Sequence, residues 1–119
     1  MLHPISSRLQ GVFIPVSDLI ASRDWYCQLL NLRNDGEIYF GHIYVLPLSN
    51  GIDIILDSKI YRPEHVLKVP LLQIATDDIK QAWQFAKDNG MELVTEIENQ
   101  QWFNLRDPDG NMLMICQSV

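Results

Sequence analysis

Apolar and polar residues along this chain fall into short blocks whose order repeats. The stretch Gly11-Val12-Phe13-Ile14-Pro15-Val16 is apolar and β-branched and runs into Ser17 and Asp18. Those two side chains accept hydrogen bonds from free backbone N–H groups at helix starts, so the pattern predicts a strand followed by a helix. From Leu19 to about Asn31, the residues Ser22, Trp25, Tyr26, Leu29 and Leu30 recur at helical spacing and predict an amphipathic helix whose apolar stripe covers a sheet. Asn34-Asp35-Gly36 is expected to end this segment. Residues 37–40, 42–48 and 52–58 then read as strands, the last pair joined at Asn50-Gly51, a dipeptide suited to a tight hairpin. Residues 59–68, with Pro63 among charged neighbours, show neither period and read as a linker.

The order then begins again. Residues 71–75 form a predicted strand, Thr76-Asp77-Asp78 a helix cap, and Ile79, Ala82, Trp83 and Ala86 the stripe of a helix that stops at Gly90. Strands are expected over residues 91–97, 101–106 and 111–117, the last pair joined by Asp107-Pro108-Asp109-Gly110. Asp18 and Asp78 stand 60 positions apart, and the hairpin glycines Gly51 and Gly110 stand 59 apart. A shared order with a shared offset implies a duplicated unit. The expected organisation is a single domain over residues 1–119, with one βαβββ module at 8–58, a linker at 59–68 and a second βαβββ module at 69–119. A chain of this length supports one continuous core.

Composition narrows the partners. Apolar residues make up 47% of the chain and charged residues 20%, as in globular rather than disordered proteins. The net charge of −6 lacks the basic excess that neutralises phosphates and argues against nucleic acid. No apolar run approaches the roughly 18 residues that span a bilayer, and Met1-Leu2-His3-Pro4 has no basic start followed by an apolar stretch. A cytoplasmic protein without membrane association is expected, with Cys27 and Cys116 as free thiols. His3, His42 and His65 sit in separate segments without His-x3-His or Cys-x2-Cys spacing, and read as surface or loop residues rather than metal ligands.

The motifs Val16-Ser17-Asp18-Leu19 with Trp25-Tyr26, and Thr76-Asp77-Asp78-Ile79 with Asp107-Pro108-Asp109-Gly110-Asn111, set in a duplicated βαβββ chain, make it resemble the vicinal oxygen chelate superfamily. These are the glyoxalase/bleomycin-resistance/dioxygenase proteins: glyoxalase I, extradiol dioxygenases, fosfomycin-resistance enzymes and bleomycin-binding proteins. The resemblance covers nearly the whole chain. It implies an α+β fold in which the modules form curved mixed sheets around a central cleft, helices outside. It also implies a homodimer, since short members of this kind pair and sometimes exchange modules, and pairing covers open strand edges.

In the metal-dependent members, His, Glu or Gln side chains on the first and last strands of the modules hold the ion. The resemblance carries those positions onto Gly11 and Leu71, seven residues before the capping Asp of each module, and onto Ile55 and Met114, four residues after each hairpin glycine. Glycine, leucine and isoleucine offer no donor, and a thioether is a soft ligand suited to Cu(I) rather than Ni, Zn, Fe or Mn. No metal or other cofactor is expected.

A two-residue turn at Asn50-Gly51 pairs Leu48 with Asp53, Leu46 with Ile55 and Tyr44 with Asp57, which places Tyr44, Asp53 and Asp57, with His42 nearby, on the cleft face. The second module is expected to line the cleft with Gln73, Trp102, Asn104, Arg106, Met112 and Met114, and to turn Phe103 and Leu105 toward its helix. Trp102 offers an indole for stacking on a flat or cationic group. Met112 and Met114 offer an adaptable apolar wall. Asp53, Asp57 or His42 could hydrogen-bond a ligand or act as a base. Arg106 is expected to be held by Asp107 and Asp109 of its own turn, while Trp25, Tyr26, Trp83 and Phe85 cover the sheets. The first expectation is a metal-independent protein that sequesters or senses a small organic molecule. Two alternatives stay open: an enzyme (lyase, isomerase or dioxygenase type, metal-dependent through displaced ligands or metal-free through the cleft Asp and His residues), and a structural or regulatory protein whose cleft is filled.

Overall fold

The computed structural model describes residues 3–118; Met1 and Leu2, read above for a leader, and Val119 lie outside the described residues. Strand β1 (Gly11–Pro15) leads into helix α1 (Leu19–Leu30). Asp18 is extended, and its carboxylate accepts the Ala21 N–H at 3.0 Å, which caps the helix. The helix ends at Asn31, where its apolar spacing placed the end, ahead of the Asn34-Asp35-Gly36 break. Asn31 takes the left-handed conformation (φ +54°) and lets the Leu32 N–H reach back to the Cys27 carbonyl.

Strands β2 (Ile38–Tyr39), β3 (Ile43–Pro47) and β4 (Asp53–Asp57) complete a sheet of order β1-β4-β3-β2, with β1 and β4 parallel. A linker containing a 3-10 turn at Pro63–His65 follows. The second sheet repeats the first: β5 (Gln73–Thr76), α2 (Ile79–Asp88, capped by Asp78), β6 (Glu92–Leu93), β7 (Trp102–Arg106) and β8 (Met112–Gln117), in order β5-β8-β7-β6. β2 and β6 are shorter than their apolar runs. In β6 the cause is a bulge, since the N–H groups of Val94 and Thr95 both point at the Asn104 carbonyl.

The β3–β4 hairpin corrects the expected register. Its loop has three residues, Ser49 to Gly51, closed by the Leu48 N–H on the Ile52 carbonyl, with Gly51 at φ +84°. A type I turn followed by a left-handed glycine makes such a loop, where a two-residue Asn-Gly turn of type I′ needs both residues left-handed and only Gly51 is. Tyr44 therefore pairs with Leu56, Leu46 with Ile54 and Ile43 with Asp57. Shifting a ladder by one residue turns every side chain over. Tyr44, expected in the cleft, instead lies beneath α1, 2% exposed, its hydroxyl accepting the Gly36 N–H. The core under α1 is Ile14, Tyr44, Leu46, Ile54 and Leu56, and that under α2 is Phe103, Leu105, Leu113 and Ile115.

A buried polar junction joins the modules. The Tyr26 hydroxyl donates to Asp107 Oδ2 at 2.7 Å. Asn111 Nδ2 donates to Asp107 Oδ2 and to the Pro15 carbonyl, while Asn111 Oδ1 accepts the Leu67 N–H. Ser17 donates to Asp109 through both its backbone N–H and its hydroxyl, which donates in a very short hydrogen bond. The Asp-Pro-Asp-Gly-Asn turn thus clamps its own module to the start of α1.

Burial pushes the Asp107 carboxyl above its ordinary value, against the pull of hydrogen bonds from Asn111 and Tyr26; burial also pushes the Tyr26 hydroxyl well up. The folded chain therefore holds the Asp107 proton more tightly than the unfolded chain does. That contribution to stability is complete below the ordinary aspartate value of 3.8 and is lost as the pH rises through the raised folded value. The stability gap between wild type and Asp107→Asn is expected to be wider at about pH 4 than at about pH 7 in urea unfolding. A gap that grew toward neutral pH would mean that the carboxylate's hydrogen bonds outweigh its desolvation.

Candidate functional site

Each sheet turns one face to its helix and leaves the other open. On the first, Phe13 of β1, Ile55 of β4 and Val45 of β3 form a row across the open face. Phe13 is 53% exposed, so an aromatic ring stands in solvent at the centre of an apolar surface. On the second, Gln73, Met114 and Asn104 form the matching row, with Trp102 beside Cys116 on one flank and Arg106 beside Met112 on the other. Phe103 and Leu105 are buried on the helix side of β7. Alternation along β7 and β8 is unbroken, which is why the faces of this module follow directly from residue parity.

The polar groups of the second face are mostly engaged. Trp102 Nε1 donates to Glu98 Oε2 at 2.8 Å, and Gln73 Nε2 lies 3.5 Å from Met114 Sδ. Arg106 does not bond its own turn: Nη1 donates to Glu92 Oε2 at 2.7 Å, across the β6–β7 pair, because Asp107 and Asp109 are committed to the first module. The Asn104 N–H donates to Thr95 Oγ1, while its buried side-chain Oδ1 meets no hydrogen-bond partner among the described residues. In the first module Asp53 is half-buried and stands beside Gly11 in the β1–β4 ladder. Asp57 is 4% exposed, and its Oδ1 lies 2.8 Å from His42 Nδ1 and accepts the Lys59 N–H at 2.9 Å.

The positions that would hold a divalent ion do not fit one. A Cβ on Gly11 would meet Ile55 Cδ1 at 2.8 Å, so an apolar side chain fills the place from which a ligand would project. Leu71 is 68% exposed, and Met114 offers only sulfur. Among the described residues, no group of three or more His, Cys, Asp or Glu side chains gathers where an ion could sit. Imidazole and carboxylate donors are what such ions require.

The sequence pattern predicts only that Tyr26 covers a sheet and that Asp107 and Asn111 form a hairpin turn; it does not predict that the three meet in a junction. Their signal was present in the Asp-Pro-Asp-Gly-Asn motif, which reads locally as hairpin chemistry and discloses its partners only when the modules meet.

Paired four-stranded mixed sheets, each with one helix and one open face, define the glyoxalase/bleomycin-resistance fold. The family model of the Glyoxalase/Bleomycin resistance protein/Dioxygenase superfamily matches residues 8–115, and the chain belongs to that family. Among solved structures, it is similar to TnmS3, an antibiotic binding protein from a Streptomyces species, at 21% identity over 98% of this chain and 100% of that one, with a TM-score of 0.75. A glyoxalase/dioxygenase from Nostoc punctiforme is similar at 18% identity over 100% and 97% of the two chains, TM-score 0.74. Lactoylglutathione lyase from Agrobacterium tumefaciens is similar at 14% identity over 98% and 96%, TM-score 0.70. No curated protein sequence matches the chain significantly.

Proposed function

We propose that this protein binds a small organic molecule without a bound metal, in clefts that two copies form together by facing the first sheet of one copy with the second sheet of the other. The carrying observation is the metal position itself, where Ile55 packs over Gly11, between open faces that carry the aromatic Phe13 and Trp102, the thioethers Met112 and Met114 and the amides Gln73 and Asn104. Such a lining suits an organic ligand oriented by a few polar contacts. The description of TnmS3 as antibiotic binding agrees with this reading.

Surface area supports the second copy. The chain exposes 7971 Å², where a monomeric protein of 13.8 kDa exposes about 6,600 Å². Its radius of gyration of 15.0 Å exceeds the roughly 13.5 Å of a compact chain this long. The exposed residues 3–10 supply part of the excess, and the open sheet faces supply more. A stable interface buries about 800 Å² per partner, which the excess can provide. The free cysteines support a cytoplasmic location, the charge of −6 supports a role away from nucleic acid, and no helix among the described residues is long and apolar enough to cross a membrane.

The test is a thermal-shift screen of flat apolar compounds alongside Ni, Zn, Fe and Mn salts, with metal analysis of the purified protein. An organic ligand is expected to raise the melting temperature, and Trp102→Ala to weaken that ligand about tenfold. Stoichiometric metal in the purified protein would overturn the metal-free reading.

A further inference from the structure

The duplicated fold supplies its own control. Carried over by the 59-residue offset of the hairpin glycines, Phe40, Gly41, His42 and Asp57 correspond to Asn99, Gln100, Gln101 and Cys116. The backbones agree. Phe40 and Gly41 have φ +55° and +79°, and Asn99 and Gln100 have +50° and +57°. Ser58 N donates to the His42 carbonyl at 3.0 Å, as Gln117 N does to that of Gln101 at 2.7 Å.

The side chains do not agree. The second module places at the first left-handed position an asparagine, which tolerates that conformation better than other side chains do. The first module places an aromatic ring there, strained and 87% exposed. Close by, the His42 ring lies 6.4 Å from the Phe40 ring between centroids, tilted by 35°. Its Nδ1 is held by the buried Asp57 carboxylate, and its Nε2 has no protein partner among the described residues. The same turn and ladder form in the second module without these side chains, so the fold does not require them.

A carboxylate on Nδ1 selects the tautomer whose proton sits on Nδ1 and leaves a lone pair on Nε2. A lone pair beside an aromatic wall is a receptor for a weakly acidic hydroxyl on a flat ring. We infer that His42, Asp57 and Phe40 form a recognition site for a flat organic ligand bearing an ionisable hydroxyl, an inference that rests on the reading of the open face as the ligand side. On binding, the ligand O–H bond breaks and its proton forms a bond to His42 Nε2. The bonding pair stays on the ligand oxygen, and the imidazolium is held between that anion and Asp57. His42 contacts the ligand; Asp57 is a positioning residue.

The probe is 4-nitrophenol, of which only the anion is yellow, at a pH below the phenol's own pKa. Wild type is expected to bind it and raise the anion absorbance. His42→Gln, the residue of the second module, is expected to weaken binding about tenfold or more and abolish the colour. Asp57→Asn keeps Oδ1 as acceptor for both the Lys59 N–H and His42 Nδ1–H but removes the charge that holds an imidazolium, and is expected to stay folded, keep the Nδ1–H tautomer in the ring nitrogen resonances and lose the colour. Phe40→Asn is expected to raise the melting temperature while weakening the probe, opposite signs that a purely structural ring would not produce. The inference is overturned if wild type does not bind the probe, if binding or colour survives in His42→Gln, or if Phe40→Asn separates the copies without changing affinity. The open-face reading fails independently, through an unchanged affinity of the screened ligand in Trp102→Ala.

Discussion

Asn111→Ala is expected to lower the free energy of unfolding by about 3 kcal/mol or more, measured by urea denaturation. The side chain is fully buried and bonds three segments: the linker through the Leu67 N–H at 2.9 Å, the first module through the Pro15 carbonyl at 2.9 Å, and its own turn through Asp107 Oδ2 at 2.8 Å. Truncation leaves the Pro15 carbonyl and the half-buried Leu67 N–H without this partner and Asp107 Oδ2 with only the Tyr26 hydroxyl, and each buried orphan costs about 1–3 kcal/mol. Asn34→Ala, at an exposed position, serves as the comparison and is expected to change stability by about 0.5 kcal/mol or less. A loss at Asn111 no larger than that at Asn34 would mean that water replaces the lost bonds and that the junction does not hold the modules together.

Phe13→Glu is expected to weaken self-association about a hundredfold or more, read by sedimentation velocity across a concentration series. In the free chain this ring is 53% exposed at the centre of the first open face, so a carboxylate there disturbs the fold little. Against the second sheet of another copy the same carboxylate would be buried among Ile55, Val45 and the facing Met and Trp side chains, where the one cation of that face, Arg106, is already paired with Glu92. Ligand binding is expected to fall with association, because each proposed cleft needs both copies. A Phe13→Glu protein that remained a dimer with unchanged ligand affinity would place the interface elsewhere.

These outcomes concern features of different visibility in the sequence. Element order was readable because strands and helices announce themselves over a few residues: Asp18 and Asp78 cap helices through N–H groups three positions on, and parity along Trp102 to Arg106 assigned faces without reference to any neighbour. The lack of ligands at Gly11, Leu71, Ile55 and Met114 is likewise a property of residue type. The β3–β4 register was not readable, because Ser49-Asn50-Gly51 is compatible with more than one turn, and the choice rests on which strand face can be buried under α1. That choice moved Tyr44 from the open face into the core.

Residue types and their short-range spacing determined the modules, their duplication and the absence of donors at the ion positions, since helix capping, strand alternation and the presence of a ligating atom act within a few residues. Only the folded chain decided that Asp107 and Asn111 reach Tyr26 and Pro15, that Arg106 turns to Glu92, and that Asp57 meets His42. Those contacts join residues from 14 to 96 positions apart, and their energy depends on burial and direction, which exist only once the sheets have formed.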